Sequence, residues 1–237
     1  MTKLTSAQAP LVIEKATLRR AIAAAALGNC MEWFDFGVYG YLAVTIGHVF
    51  FPSHNPTTEL LSAFGGFAVA FVIRPFGGVF FGPLGDRIGR QRVLAVTIIL
   101  MAASTFMIGV LPGYAQIGIW APILLMLARL VQGFSTGGEY GGAATFMAEY
   151  APDKHRGYLC SWLEFGTLGG FSLGAALVTL VTFALPSETM NAWGWRIPFL
   201  CAGPLGMIGL YLRLKLEETP DFQGLQDAGE VAAAPLR

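Results

Sequence analysis

Six apolar runs, each long enough to cross a bilayer, constrain this chain more than any other feature. They fall at roughly 21–50, 60–84, 93–111, 119–148, 158–185 and 195–212. Short polar connectors separate them, near 51–59, 85–92, 112–118, 149–157 and 186–194. A helical span needs about 20 residues, so twelve spans would use roughly 240 before any connector. The 237 residues accommodate six. Composition points the same way: 54% of residues are hydrophobic and 13% charged, against about 25% charged in soluble domains. The expected fold class is an all-α membrane protein, a six-transmembrane-helix bundle over 21–212 with tails at 1–20 and 213–237. The first run is no cleavable signal peptide, being too long and carrying Glu32 and Asp35 in its middle.

The basic residues sort by side. Lys3, Lys15, Arg19 and Arg20 precede the first run, and Arg87, Arg90 and Arg92 follow the second. Lys154 and Arg156 follow the fourth, and Arg213, Lys215 and Arg237 follow the sixth. The connectors at 51–59, 112–118 and 186–194 hold none. Because cytoplasmic loops concentrate Lys and Arg, both termini are expected in the cytoplasm of a multi-pass plasma-membrane protein. With 15 basic and 15 acidic residues and no net charge, the chain lacks the basic excess of a nucleic-acid binder. Its partners are expected to be the lipid bilayer, protons and a small solute, with no cofactor.

Ionisable side chains inside a span cost about 2.5–3.5 kcal/mol each on insertion scales and normally face a bundle interior or a watery cavity. At 100° per residue, Asn29, Glu32, Asp35 and Tyr39 share one arc of the first helix; Arg129, Gln132, Thr136 and Glu139 share one on the fourth. Arg74 and Glu164 add a charge to two further spans. Two polar stripes on separate helices are the pattern of a solute and proton pathway, set against the alternative of ion pairs that fix helix register. A carboxylate whose surroundings alternate can switch its proton affinity, which makes Glu32, Asp35 and Glu139 the candidate proton carriers. Aromatic residues interleave the acids at Trp33, Phe34, Phe36 and Tyr39, a wall able to hold a quaternary ammonium by cation–π attraction. Each ring alone is equally a helix-packing or lipid-facing residue.

Small residues recur every four positions at Gly133, Gly137 and Gly141 and at Gly166, Gly170 and Gly174. That spacing lets helix backbones approach closely in lipid. Gly133 to Gly137 also fits G-x-S-x-G, but a serine nucleophile needs a strand-to-helix turn, and this stretch lies mid-helix. His48, His54 and His155 lack metal-ligand spacing. Cys30, Cys160 and Cys201 lie in apolar runs and suggest no disulfide framework. No metal site and no enzymatic activity are expected.

The connector Gly82-Pro83-Leu84-Gly85-Asp86-Arg87-Ile88-Gly89-Arg90-Gln91-Arg92 resembles the signature loop of the major facilitator superfamily, with Gln91 in place of the usual basic residue. Val131-Gln132-Gly133-Phe134 through Gly137, Phe146, Glu149 and Arg156 is similar to a second signature of that superfamily. The first span, Arg74-Pro75-Phe76-Gly77-Gly78, Gly137-Gly138-Glu139-Tyr140, Trp193 to Phe199 and Leu216 to Pro220 resemble the metabolite:proton symporter family. The similarity runs from about 18 to 222 and is nearest to the osmolyte branch.

That resemblance implies the N-terminal half of a two-bundle transporter that works by alternating access. It implies proton symport of proline or glycine betaine, with relatives that take 2-oxoglutarate, citrate or shikimate as the alternative. It also implies a cytoplasmic gate at Gly82, Gly85, Asp86, Arg87, Gly89, Arg90, Glu149 and Arg156, with Asp86 expected to cap a helix start. With one bundle in view, Glu32, Asp35 and Arg129 are expected on an unmatched surface awaiting a C-terminal six-helix half or a second copy. A truncated gene product with little transport of its own, a split transporter and a dimerising bundle are the readings this leaves.

Overall fold

A computed structural model describes residues 15–215, leaving aside the side chains of 15–17, 21, 149, 150 and 153. Among the described residues eleven α-helices run in order: α1 (Lys15–Tyr41), α2 (Ala43–Phe50), α3 (Pro56–Val72), α4 (Arg74–Ile88), α5 (Arg90–Val110), α6 (Tyr114–Ile117), α7 (Trp120–Tyr150), α8 (Arg156–Cys160), α9 (Trp162–Ala184), α10 (Ser187–Thr189) and α11 (Arg196–Leu214). A 3-10 turn, Asp153–His155, precedes α8, and a π turn, Met190–Gly194, precedes α11. The six expected spans are therefore α1 with α2, α3 with α4, α5, α7, α8 with α9, and α11. The first begins at Lys15 rather than near residue 21, and it breaks at Leu42.

Four of these stretches, at 56–88, 90–110, 156–184 and 196–214, are long and apolar enough by length and composition to cross a membrane. The other two, built on α1 and α7, carry the polar stripes. Their charges lower an otherwise high hydropathy, and the structure meets the cost by turning both stripes into the interior.

Local chemistry sets the breaks. The Asn55 side chain accepts from the Thr57 amide at 2.9 Å and caps α3, with Pro56 at the first helical position. Gly89 separates α4 from α5 at φ 99°, a backbone region closed to most side chains. Pro75, with no amide hydrogen, marks the junction of α3 and α4.

The helices pack as α1 along α9, α5 between α11 and α7, α4 against α7, and α2 on α3. Glycine makes the closest approaches possible. A Cβ on Gly166 or Gly170 would overlap the Ala26 or Cys30 carbonyl of α1, and one on Gly133 or Gly137 would overlap the Ala70 or Arg74 carbonyl. Gly141 departs from the expected pattern: a Cβ there would meet no other helix within 4 Å, and the residue lines an open cleft.

Apolar residues close the bundle at both ends. At one end Phe50, Trp195 and Phe199 form an edge-on aromatic stack inside the largest hydrophobic cluster. At the other, where the 87–92 connector lies, Ala25, Ala143, Met147 and Leu163 pack together, as do Ala24, Leu94 and Phe146. Between the two lies a polar layer.

Candidate functional site

The polar layer is assembled from five spans, and both stripes contribute whole. Asn29, Glu32, Asp35 and Tyr39 on α1, and Arg129, Gln132, Thr136 and Glu139 on α7, are all buried, none more than 2% exposed. They do not wait on an unmatched surface, as the single bundle suggested. The reason is counter-charge from within: three carboxylates (Glu32, Asp35, Glu139) lie among three guanidiniums (Arg74, Arg129, Arg213).

Each charge is held differently. Glu32 accepts from Arg74 Nη2 at 2.5 Å through one oxygen, while its Oε2 has no hydrogen-bond partner. Arg74 stands at the start of α4, its guanidinium 4.4 Å from the Phe36 ring centre, 4.5 Å from Phe71 and 5.7 Å from Trp33. Arg129 lies 3.3 Å over the Tyr39 ring and donates to Gln132 Oε1 at 2.5 Å. Gln132 passes the chain on to Thr105 at 2.9 Å, and the Tyr39 hydroxyl donates to the Ala63 carbonyl at 2.9 Å. Asp35 has Arg129, Thr105 and Arg74 around it, yet neither of its oxygens has a hydrogen-bond partner of good geometry. Nε and Nη2 of Arg129 are likewise unpartnered.

A second group closes the layer on the side of the 87–92 connector. Glu139 accepts from Thr97 Oγ1 at 2.5 Å and from Arg213 Nη2, so that α7, α5 and α11 meet at one carboxylate. Arg213 is 3% exposed. From the sequence it reads as one of the basic residues beyond the sixth span; the structure instead places it in the last turn of α11. Gly28 makes room for the pair, since a Cβ there would run into the Arg213 guanidinium and Glu139. Asn29 fastens α1 to α9, donating to the Leu163 carbonyl at 2.6 Å and to Thr167 Oγ1 at 2.7 Å.

Glu164 is not part of this layer. It sits on the exposed side of α9, where the Tyr140 hydroxyl donates to it at 2.8 Å. Ser135, the centre of the G-x-S-x-G match, is buried mid-helix and donates to the Gln132 carbonyl of its own helix.

Among the expected gate residues, Gly82, Gly85, Asp86 and Arg90 line a cleft of about 250 Å³ with Gly138 and Gly141 of α7. Asp86 does not cap a helix start. It occupies the last turn of α4 and pairs with Arg90 at 3.3 Å across the Gly89 break. Arg87 and Arg156 are exposed. Glu149, by its side chain, and the motif Leu216 to Pro220 lie outside the described residues.

Arg213, Thr97, Thr105 and Phe71 escaped the sequence reading. For Arg213 a signal existed: Phe199, Ala202, Gly206, Gly209 and Arg213 repeat at alternating intervals of three and four, continuing the buried face of α11.

Comparison with known proteins fits this architecture. The model of the family described as sugar (and other) transporter matches residues 21–237. A glycine betaine/proline/ectoine/pipecolic acid transporter of Dickeya dadantii, OusA, is 58% identical over 212 residues, covering 90% of this chain and 42% of the relative. A proline/betaine transporter of Salmonella typhimurium is 55% identical over 233 residues, covering 93% and 47%. The chain thus spans about half the length of these relatives. The solved structure of the major facilitator superfamily proton:xylose symporter XylE, with a bromodeoxyglucose bound, superposes with a TM-score of 0.81 at 19% identity, over 92% of this chain and 48% of that one. An inward-open XylE from Escherichia coli gives 0.78. With the fold of half a major facilitator transporter and a family match along nearly its whole length, this multi-pass membrane chain belongs to the sugar (and other) transporter family.

Proposed function

We propose that this bundle is the N-terminal half of a proton-coupled symporter for a small zwitterionic osmolyte such as proline or glycine betaine, working by alternating access. The observation that carries the reading is the charge-balanced layer of three carboxylates and three guanidiniums, buried except for part of the Arg74 side chain, in a chain whose relatives are named for proline and betaine transport. Charges are kept inside a membrane protein where a solute or ion path needs them.

Within the layer the roles divide by partner. Asp35, with both oxygens free of hydrogen bonds, could exchange a proton without breaking an existing bond, and Glu32 has one such oxygen. Glu139, held by Arg213 and Thr97, is better suited to fixing helices than to carrying protons. The two unpartnered nitrogens of Arg129 form a donor pair that suits a solute carboxylate. That feature also favours a second reading, transport of a carboxylate such as 2-oxoglutarate, citrate or shikimate. In both readings the termini are cytoplasmic and the cleft at Asp86 and Arg90 belongs to the cytoplasmic gate. The tail beyond the bundle begins a linker towards a second six-helix half, or a second copy of this chain takes that half's place.

The experiment is uptake of labelled proline and glycine betaine, driven by a proton gradient, in vesicles carrying this chain alone or together with the second half of a relative. Uptake that needs both halves, with proton coupling reduced by Glu32→Gln and by Asp35→Asn, is the expected result. No uptake in either arrangement, or coupling unchanged in both variants, overturns it.

A further inference from the structure

The aromatic wall of α1, completed by Phe71 of α3, already holds a cation, and it belongs to the protein. Phe36, Phe71 and Trp33 surround the Arg74 guanidinium within the range of cation–π attraction, about 6 Å. Glu32 closes the cage as its counter-ion.

We propose that Arg74 is a tethered stand-in for the solute's cationic group: it fills the cage of Glu32, Phe36, Phe71 and Trp33 until a quaternary ammonium displaces it. This rests on the osmolyte reading above and adds to it the residue that competes with the solute.

Three observations make the guanidinium a replaceable occupant. First, it is attached to Glu32 by one nitrogen only; Arg74 Nε and Glu32 Oε2 both lack hydrogen-bond partners. A bidentate pair would use the planar fork fully and be harder to open. Second, Glu32 is wholly enclosed while the Arg74 side chain keeps a fifth of its surface exposed, which leaves the arm a way out. Third, the cage itself asks for positive charge rather than for donors, since ring faces attract any cation. A trimethylammonium group brings charge and methyl contact without N–H groups, so Oε2 stays as it is now while Oε1 exchanges its hydrogen bond from Arg74 for a contact with the new cation.

The position of Arg74 links occupancy to helix packing. It opens α4 directly after the Ile73 junction, and its carbonyl lies against Gly137 of α7, where any larger residue would overlap it. Release of the side chain therefore takes place at the bend of the second span, against the helix that carries Arg129 and Glu139.

The test is equilibrium binding of tetramethylammonium, a cation with no carboxylate, to the purified full chain in lipid nanodiscs. Wild type, whose cage is filled, should bind it weakly. Arg74→Ala should bind it at least tenfold more tightly, and the gain should vanish in Arg74→Ala with Glu32→Gln and in Arg74→Ala with Phe36→Ala. Arg74→Gln, which keeps length and a hydrogen bond to Glu32 without charge, carries the same expectation if the alanine variant is not recovered folded. Equal affinity in wild type and in a folded Arg74 variant overturns the proposal, as does tight binding to wild type. The readout does not depend on transport: absent betaine uptake with the binding gain present would refute the symporter reading alone, and uptake without the gain would refute the stand-in alone.

Discussion

The Glu139–Arg213 pair offers the most direct measurement of how the bundle holds its charges. Both side chains are at most 3% exposed, and Glu139 has Thr97 as its other partner. Removing one member of a buried ion pair costs about 3–5 kcal/mol, because the remaining charge loses its counter-ion, whereas replacing both members is often close to neutral. Arg213→Gln alone should therefore destabilise the chain by about 3–5 kcal/mol. At about 2–4 °C per kcal/mol for a chain of this size, the melting midpoint should fall by roughly 6–20 °C. Glu139→Gln combined with Arg213→Gln should recover most of the loss. Thermal unfolding in detergent can be followed by thiol labelling, since Cys30, Cys160 and Cys201 are free and partly buried. A single substitution that costs under about 1 kcal/mol, or a double variant whose loss is the sum of the two single ones, would refute the account of a mutually compensating pair.

Further expectations concern packing, the hydrogen bonds between α1 and α9, and the gate. Gly170→Leu should abolish recovery of folded chain, since its Cβ would meet the Cys30 carbonyl, while Gly141→Ala, with open space around it, should leave the melting midpoint unchanged or raised. Asn29→Leu removes two hydrogen bonds between α1 and α9 and should cost about 1–3 kcal/mol in the same assay. Asp86→Asn breaks a half-exposed pair with Arg90 and should change stability by less than about 1 kcal/mol. Paired with the second half of a relative, as in the uptake experiment proposed above, the same variant should slow uptake, and unimpaired uptake would remove Asp86 from the proposed gate.

The spans and the two polar stripes were legible because hydropathy and the 100° helical step are local properties. Glu32 and Arg129 each carry a signal strong enough to read without a partner. What could not be read was the identity of those partners. Arg213 lies at the end of an apolar run among other basic residues, so its charge read as a topology marker although its register continues a buried face. Glu164 stands apart from the layer for the converse reason: it is a charge within a span, but Gly166 and Gly170, which approach α1, fix the opposite face of α9 as the buried one. Asp86 was expected to start a helix, but Gly89, with its positive φ, supplies the break three residues later. The expected unmatched surface arose from counting helices rather than countercharges; Arg74 and Arg213 lie on spans outside both stripes.

The reach of the Glu139–Arg213 contact has a consequence for biosynthesis. The two residues are separated by 74 positions, and a ribosome delivers the carboxylate first. During that interval the fourth helix must travel with its acid shielded by water, by headgroups or by Thr97, which has already been made. Only when the sixth helix emerges can its final turn dock and lock α5 and α7 together. The nascent bundle thus acquires this contact from its sixth span, and a substitution at Arg213 should leave the earlier helices inserted but less firmly held together.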